Sequence, residues 1–365
     1  MNQNINIPFV DLYPQYQEIK SEIDLAIQDV ITRSDFITGP TVEKFEQSLI
    51  DYTGAEDCAS IGSGTNALVC ALKACGIGSG HKVITVGHTF VSTTEAIINV
   101  GAEPVFVDID QFYHMDINQL QYTDGMKAIL FVDLYGQTPD IDKIKSFAKK
   151  NNLVVIEDAA QSFGADYKDM KVGNLVDLTC FSFNPVKNLG AMGDAGAVTG
   201  NKTLVDNVRM YRDHGRKTKF DYETVGYNAR IDNLQAVIIQ EKLKKVDAWL
   251  DKKIEICRSY SESLKEIVSI PQETGLGKHT YYVYVIETPE ATRDSLQQYL
   301  GKKGIETNIH YKHPTHTTKA FAEYNTHLPR TEYVCDNILS LPCYHTLTAN
   351  QQEHVIDSVR NFYGY

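Results

Sequence analysis

Lys187 and Asp158 carry the residue types that can do chemistry in this chain. Lys187 lies in Phe181-Ser182-Phe183-Asn184-Pro185-Val186-Lys187-Asn188-Leu189-Gly190, between a proline and a glycine and just after a short strand. Asp158 ends an apolar run and opens Asp158-Ala159-Ala160-Gln161. A carboxylate at the exit of a buried strand needs a cation to face. A lysine that can form a Schiff base, with an aspartate to hold a pyridinium nitrogen, is the chemistry of pyridoxal phosphate.

The phosphate of such a cofactor needs a cradle. Ser60-Ile61-Gly62-Ser63-Gly64-Thr65-Asn66-Ala67-Leu68 is a Gly-rich turn running into an apolar helix. Free N–H groups at a helix N-terminus attract anions, and Ser63 and Thr65 add hydroxyls. Taken alone, the same pattern also describes an ordinary capped helix. It opens like a dinucleotide fingerprint, but Ala67 stands near the place of the third glycine. Phe90, past another strand end, can stack on a planar ring, although an aromatic there is also ordinary core. Gln161 can bond a ring hydroxyl and Ser182 a phosphate. A freed Lys187 amine can carry a proton between substrate and cofactor carbons.

The elements that must position these residues alternate. His81–Val86, Pro104–Ile109, Lys127–Leu134 and Leu153–Glu157 read as strands. Gly64–Cys75, Phe90–Val100 and Ile141–Lys150 read as helices between them. That order predicts a mostly parallel sheet covered by helices, with ligands at the carboxyl ends of its strands. From Ile231 a long helical pattern places Leu234, Val237, Ile238, Val246, Trp249 and Leu250 on one face, as in a connector between domains. The expected division is a large domain over residues 32–248 and a smaller α/β domain over 249–365, with residues 1–31 beside the smaller one.

The chain has 365 residues, 42% hydrophobic, and a formal net charge of −12. The acidic balance disfavours nucleic acid and anionic membranes as partners. Seven cysteines without metal-type spacing suit free thiols in a reducing cytosol. The N-terminus lacks the basic and apolar regions of a signal peptide, and a soluble cytoplasmic protein is expected. His310, His313 and His316 are evenly spaced, but Pro314 interrupts any helix that would align them, so no metal site is expected.

The chain resembles the DegT/DnrJ/EryC1/StrS family of nucleotide-sugar aminotransferases. The resemblance rests on Phe36-Ile37-Thr38-Gly39-Pro40, Gly64-Thr65-Asn66-Ala67-Leu68, Leu134-Tyr135-Gly136-Gln137, Glu157–Ala165 and Phe181–Gly190. Gly193–Ala197, His214-Gly215-Arg216 and Gly226–Ala236 extend it over nearly the whole chain. Two positions depart from the family pattern: Ala195 replaces a usual glycine, and His88 stands where proline or threonine is frequent.

The resemblance implies the aspartate-aminotransferase fold (PLP fold type I) and a homodimer with shared active sites. It implies Lys187 as the Schiff-base lysine, Asp158 on the pyridine nitrogen, Gln161 beside the ring and Phe90 stacked on it. Gly64, Thr65 and Ser182 would hold the phosphate, with Asn228 reaching it from the neighbouring subunit. Arg230, His310 and Tyr311 would meet the substrate. L-glutamate would donate the amino group, leaving as 2-oxoglutarate, and a nucleotide-linked keto sugar would accept it, giving ping-pong kinetics. A UDP- or dTDP-linked 3-keto hexose is preferred to a 4-keto-6-deoxy sugar, for cell-surface polysaccharide or lipopolysaccharide synthesis. Some relatives carry histidine in place of the lysine and act as dehydratases; Lys187 favours amino transfer. The alternatives of another class are a nicotinamide-dependent oxidoreductase built on the Gly62 turn and a non-catalytic scaffold.

Overall fold

The computed structural model describes residues 6–324 and 326–365. The strands, in chain order, are β1 (Asp57–Ile61), β2 (Lys82–Val86), β3 (Glu103–Val107), β4 (Met126–Val132) and β5 (Val154–Asp158). A small hairpin, β6 (Asp166–Tyr167) and β7 (Met170–Lys171), precedes β8 (Leu178–Ser182) and β9 (Gly196–Gly200). Farther on, β10 (Tyr284–Glu287) pairs antiparallel with β11 (Ile338–Leu341).

One seven-stranded sheet has the order β1-β9-β8-β5-β4-β2-β3. Parallel pairing joins β3, β2, β4, β5 and β8, and β9 runs antiparallel to β8 and β1. This is the mostly parallel α/β sheet expected from the alternation of strands and helices in the sequence. The central strands are buried on both faces, so they read as continuous apolar runs such as Ile129-Leu130-Phe131-Val132. After β2 the chain adds β3 on one side, then returns to place β4 on the other. The exits of β2 and β4 therefore diverge, and a crevice opens at the carboxyl ends of the strands.

The Gly64–Ala74 helix starts where Ser63, in an extended conformation, accepts a hydrogen bond from the Asn66 N–H. It buries Ala67 to Leu72 against the sheet. Full burial of Leu68 or Leu72 stabilises the fold by about 1.5–3 kcal/mol each. That packing fixes the helix N-terminus beside the exits of β5 and β8.

The long helix expected from Ile231 is two helices, Asn233–Leu243 and Val246–Leu264. No glycine or proline marks the break. At the junction the Lys245 N–H bonds back three residues to the Lys242 carbonyl. The turn lets Trp249 pack on Ile19 and Ile23 while Leu250 meets Gly164, where a Cβ would lie 2.3 Å from Leu250 Cδ1. Tertiary packing, not local propensity, sets this boundary.

A second core gathers Ile254, Tyr260, Tyr284, Leu296, Leu339 and Val355 around β10 and β11. Of the N-terminal stretch, Ile7 lies within this core, whereas the Lys20–Arg33 helix packs on Asn233–Leu243 and Trp249. Among the described residues no helix is long and apolar enough to cross a membrane.

Candidate active site

A cavity of about 430 Å³ opens at the carboxyl ends of β2, β4, β5 and β8. Gly64, Thr65, Phe90, Asp158, Gln161, Ser182, Lys187, His310 and Tyr311 all line it. Nine of the eleven site residues expected from the sequence thus meet in one place. Asn228 and Arg230 do not line it. Arg230 instead pairs with Asp213 at 2.7 Å and donates to Asn228 Oδ1 at 2.7 Å, and Asn228 is exposed.

Asp158 is the last residue of β5 and is buried. Its Oδ2 accepts from the Thr93 hydroxyl at 2.7 Å and its Oδ1 from the Ala160 N–H at 3.2 Å. Burial raises its pKa, against the pull of these two donors and of the Lys187 charge. The bonds leave carboxylate lone pairs free toward the cavity.

Glu157, one residue earlier, points to the opposite face of the sheet, as strand alternation requires. There it accepts from the Thr179 hydroxyl at 2.6 Å and meets Asp133, which accepts from Ser162 at 2.7 Å. The second oxygen of each carboxyl has no other protein partner. Burial raises both pKa values, and the charge of Glu157 raises that of Asp133 further.

Lys187 sits on a tight loop. Its N–H bonds the Asn184 carbonyl at 2.9 Å, and the Ala191 N–H returns to Phe183 at 2.8 Å. Gly190 is required there, because a Cβ would lie 2.3 Å from the Pro185 carbonyl oxygen. The ammonium lies over the face of Tyr282, 4.4 Å from the ring centroid. Burial brings its pKa down to about 8, opposed by the charge of Asp158. A fraction of Lys187 is therefore free amine near neutral pH, as a nucleophile needs. Ala195 fits without disturbing the neighbouring loop: it is buried, and its carbonyl accepts from the Phe183 N–H at 2.8 Å.

The phosphate end of the cavity is built at the start of the Gly64–Ala74 helix. The first N–H groups of a helix have no internal acceptor. Gly64 closely approaches Ser182; a Cβ there would lie 2.7 Å from Ser182 Cβ. Thr65 Oγ1 lies 2.7 Å from Ser92 Oγ, a second hydroxyl on the same wall. A glycine that a Cβ would close, free N–H groups, hydroxyls, a carboxylate and a nucleophilic lysine in one cavity fit pyridoxal phosphate.

The far wall comes from residues 308–311. Gln161 Oε1 accepts from the Tyr135 N–H at 2.7 Å, so its Nε2 faces Tyr311 Oη, 2.8 Å away. His310 Nδ1 lies 2.8 Å from Ser340 Oγ, and Phe9 stacks on its ring at 5.6 Å. Burial and the charge of Lys187 bring the His310 pKa down to about 4, so the ring is neutral. Phe90 is half exposed, and its ring centroid is 6.0 Å from that of Tyr311. His313 is exposed and His316 is buried beside Phe106, away from the cavity.

Sequence reading missed Thr93, Ser92 and Tyr282. The run Ser92-Thr93-Thr94 just after the β2 exit was a signal for the first two. Tyr282 comes from a distant segment and carries no local mark.

This fold and this site define a pyridoxal-phosphate-dependent sugar aminotransferase, with pyridoxal 5'-phosphate as cofactor. The chain belongs to the DegT/DnrJ/EryC1/StrS aminotransferase family, whose model matches residues 17–360. It is 38% identical over 372 residues to a pleiotropic regulatory protein of Geobacillus stearothermophilus, covering 99% of this chain and 100% of that protein. It is also 38% identical over 343 residues to the UDP-2-acetamido-2-deoxy-3-oxo-D-glucuronate aminotransferase of Pseudomonas aeruginosa, covering 93% and 95%. The solved DesV structure from S. venezuelae superposes with a TM-score of 0.96 at 33% identity, covering 99% of each chain.

Proposed function

We propose that this enzyme moves the amino group of L-glutamate onto the C3 ketone of a UDP- or dTDP-linked hexose. The observation that carries the reading is Lys187, with its pKa at about 8, sharing one cavity with the buried carboxylate of Asp158. Similarity to relatives named for 3-oxo or 3-amino nucleotide sugars supports the C3 position.

Pyridoxal phosphate, when bound, supplies an electron sink for the carbanion of amino transfer. The chain's residues do the rest. Gly64, Thr65 and Ser182 would hold the phosphate, and Asp158 would keep a proton on the ring nitrogen. Gln161 would orient the ring through its amide, and Phe90 would cover it. Lys187 would hold the cofactor through Nζ, and its free amine would carry the proton at the reacting carbon. His310 and Tyr311 contact the sugar.

The reading includes a cytoplasmic homodimer in which Asn228 and Arg230 serve the neighbouring subunit's site. Two observations support it: both residues stand outside the cavity of their own chain, and Phe36, Ile37, Val186, Met192 and Phe220 are exposed apolar side chains. The proposed domain boundary near residue 248 rests on the separate core around β10 and β11. The amino sugar would serve a cell-surface polysaccharide.

The test is a panel of UDP- and dTDP-linked 3- and 4-keto sugars incubated with glutamate and scored by product mass. Amination of a 3-keto member is expected. Turnover confined to 4-keto members would move the reading to C4. Cofactor binding without amino transfer from glutamate would favour the scaffold alternative.

A further inference from the structure

His88 and Tyr135 take no part in the chemistry proposed above, yet they are joined to three parts of the site. Both are buried, and neither lines it. Tyr135 adopts φ 62°, ψ 0°, the left-handed region that a tyrosine rarely occupies. Such a backbone persists only where the surroundings over-determine it. Here the Tyr135 N–H donates to Gln161 Oε1 at 2.7 Å, and its carbonyl accepts from the Tyr282 N–H at 2.7 Å. Its hydroxyl reaches the His310 carbonyl oxygen. Tyr282 is the ring beneath the Lys187 ammonium, so three groups of Tyr135 serve three different parts of the site.

The protons of this chain can be placed one by one. A carbonyl only accepts, so the Tyr135 O–H donates to His310. That uses the tyrosine's single proton. His88 Nε2, 2.7 Å from Tyr135 Oη, must therefore be the donor in that pair. His88 Nδ1 is then bare and accepts from the thiol of Cys335, 3.4 Å away. Burial holds the His88 pKa at about 3, in keeping with a neutral ring that carries its one proton on Nε2. The order Cys335 S–H to His88, His88 to Tyr135, Tyr135 to His310 satisfies every member. A buried chain satisfied throughout fixes geometry; a half-satisfied one loosens it.

We propose that His88 and Tyr135 form a positioning unit, in which the histidine N–H orders the tyrosine hydroxyl and the tyrosine sets the Gln161 amide and the His310–Tyr311 turn. The inference rests on the proposed roles of Gln161, His310 and Tyr311. It explains why a histidine here is compatible with activity: its N–H supplies the donor that the tyrosine hydroxyl needs.

The test uses the full-length holoenzyme with His88→Phe, His88→Gln, Tyr135→Phe and the double variant His88→Phe/Tyr135→Phe. His88→Phe and Tyr135→Phe are each expected to weaken pyridoxal phosphate binding and to raise the keto-sugar KM by ~10-fold, the scale of one or two lost hydrogen bonds. Their effects should not add, because both break the same chain. His88→Gln, which keeps a side-chain N–H, should restore most of the loss. In the wild type, nitrogen NMR should find His88 as the neutral Nε2–H tautomer, a readout that needs no variant to fold. An Nδ1–H or doubly protonated ring would overturn the proposal. So would additive effects, or variants that lose thermal stability while cofactor binding and KM stay at wild-type values. Cofactor affinity and the tautomer are independent of the sugar, so a failed sugar assignment leaves this test intact.

Discussion

The two walls of the cavity are built in different ways. The wall of Gly64, Asp158, Ser182 and Lys187 comes from strand exits and from the loops and helix that adjoin them. Each residue there is placed by backbone close to it: the Ser63 cap, the end of β5, the Gly190 turn. The wall of Asn308, His310 and Tyr311 is fixed by bonds to Tyr135, Gln161 and Ser340, up to 175 residues away in the chain. The first wall holds the groups proposed to react with or bind the cofactor. The second holds neutral groups that shape the cleft. In the function proposed above, chemistry sits on the rigid sheet end, and selectivity on a turn held by side-chain bonds.

That contrast can be broken from its strongest side first. Lys187→Ala is expected to lower amino transfer by at least about 10³-fold in a steady-state assay, because both covalent anchoring and proton transfer are lost. Thermal unfolding of the apoprotein should not show a loss of stability, since the substitution removes a buried ammonium whose pKa is depressed by burial.

Asp158→Asn should lower kcat by roughly 100-fold, because the amide cannot hold a proton on the ring nitrogen as a carboxylate does. Stopped-flow measurement of the glutamate half-reaction alone should show the same loss, which separates it from effects on the sugar wall.

The third test is pH. The folded-state pKa of Lys187 is about 8, below its ordinary value, and only the free amine attacks the cofactor aldehyde. The rate at which apoprotein captures pyridoxal phosphate should therefore rise with pH and level off above about 8. Below that it should fall about tenfold per pH unit. A midpoint near the ordinary lysine value would show that burial does not tune this group.

The smallest effect belongs to the other wall. Tyr311→Phe removes the acceptor of one Gln161 bond, worth about 1 kcal/mol. It should raise the keto-sugar KM about fivefold and leave glutamate kinetics nearly unchanged. Equal damage to both half-reactions would erase the distinction between the walls.

The same contrast explains what was legible in the sequence. The parallel sheet could be read because its strands are apolar runs between amphipathic helices, and Asp158 and Lys187 could be read because their motifs are short and contiguous. The break at Lys244–Lys245 carries no breaker residue, and is set by what Trp249 and Leu250 pack against. Thr93 meets Asp158 across 65 residues, and no local pattern reports that distance. Tyr135 lies in a recognisable motif, but its three-way bonding follows from a left-handed backbone that a tyrosine's sequence context does not announce. Asn228 and Arg230 fall outside the cavity of their own chain, where Arg230 is held by Asp213 and bonds Asn228; their proposed role is in the neighbouring subunit's site.

The central claim is that Lys187 is the residue that bonds the cofactor. Its most direct test is borohydride reduction of the purified yellow holoenzyme, followed by proteolysis and peptide mass analysis. A reduced phosphopyridoxyl group is expected on the peptide containing Lys187, lost when glutamate is added before the reductant. A label on another lysine, or catalytically active protein with no label at Lys187, would contradict it.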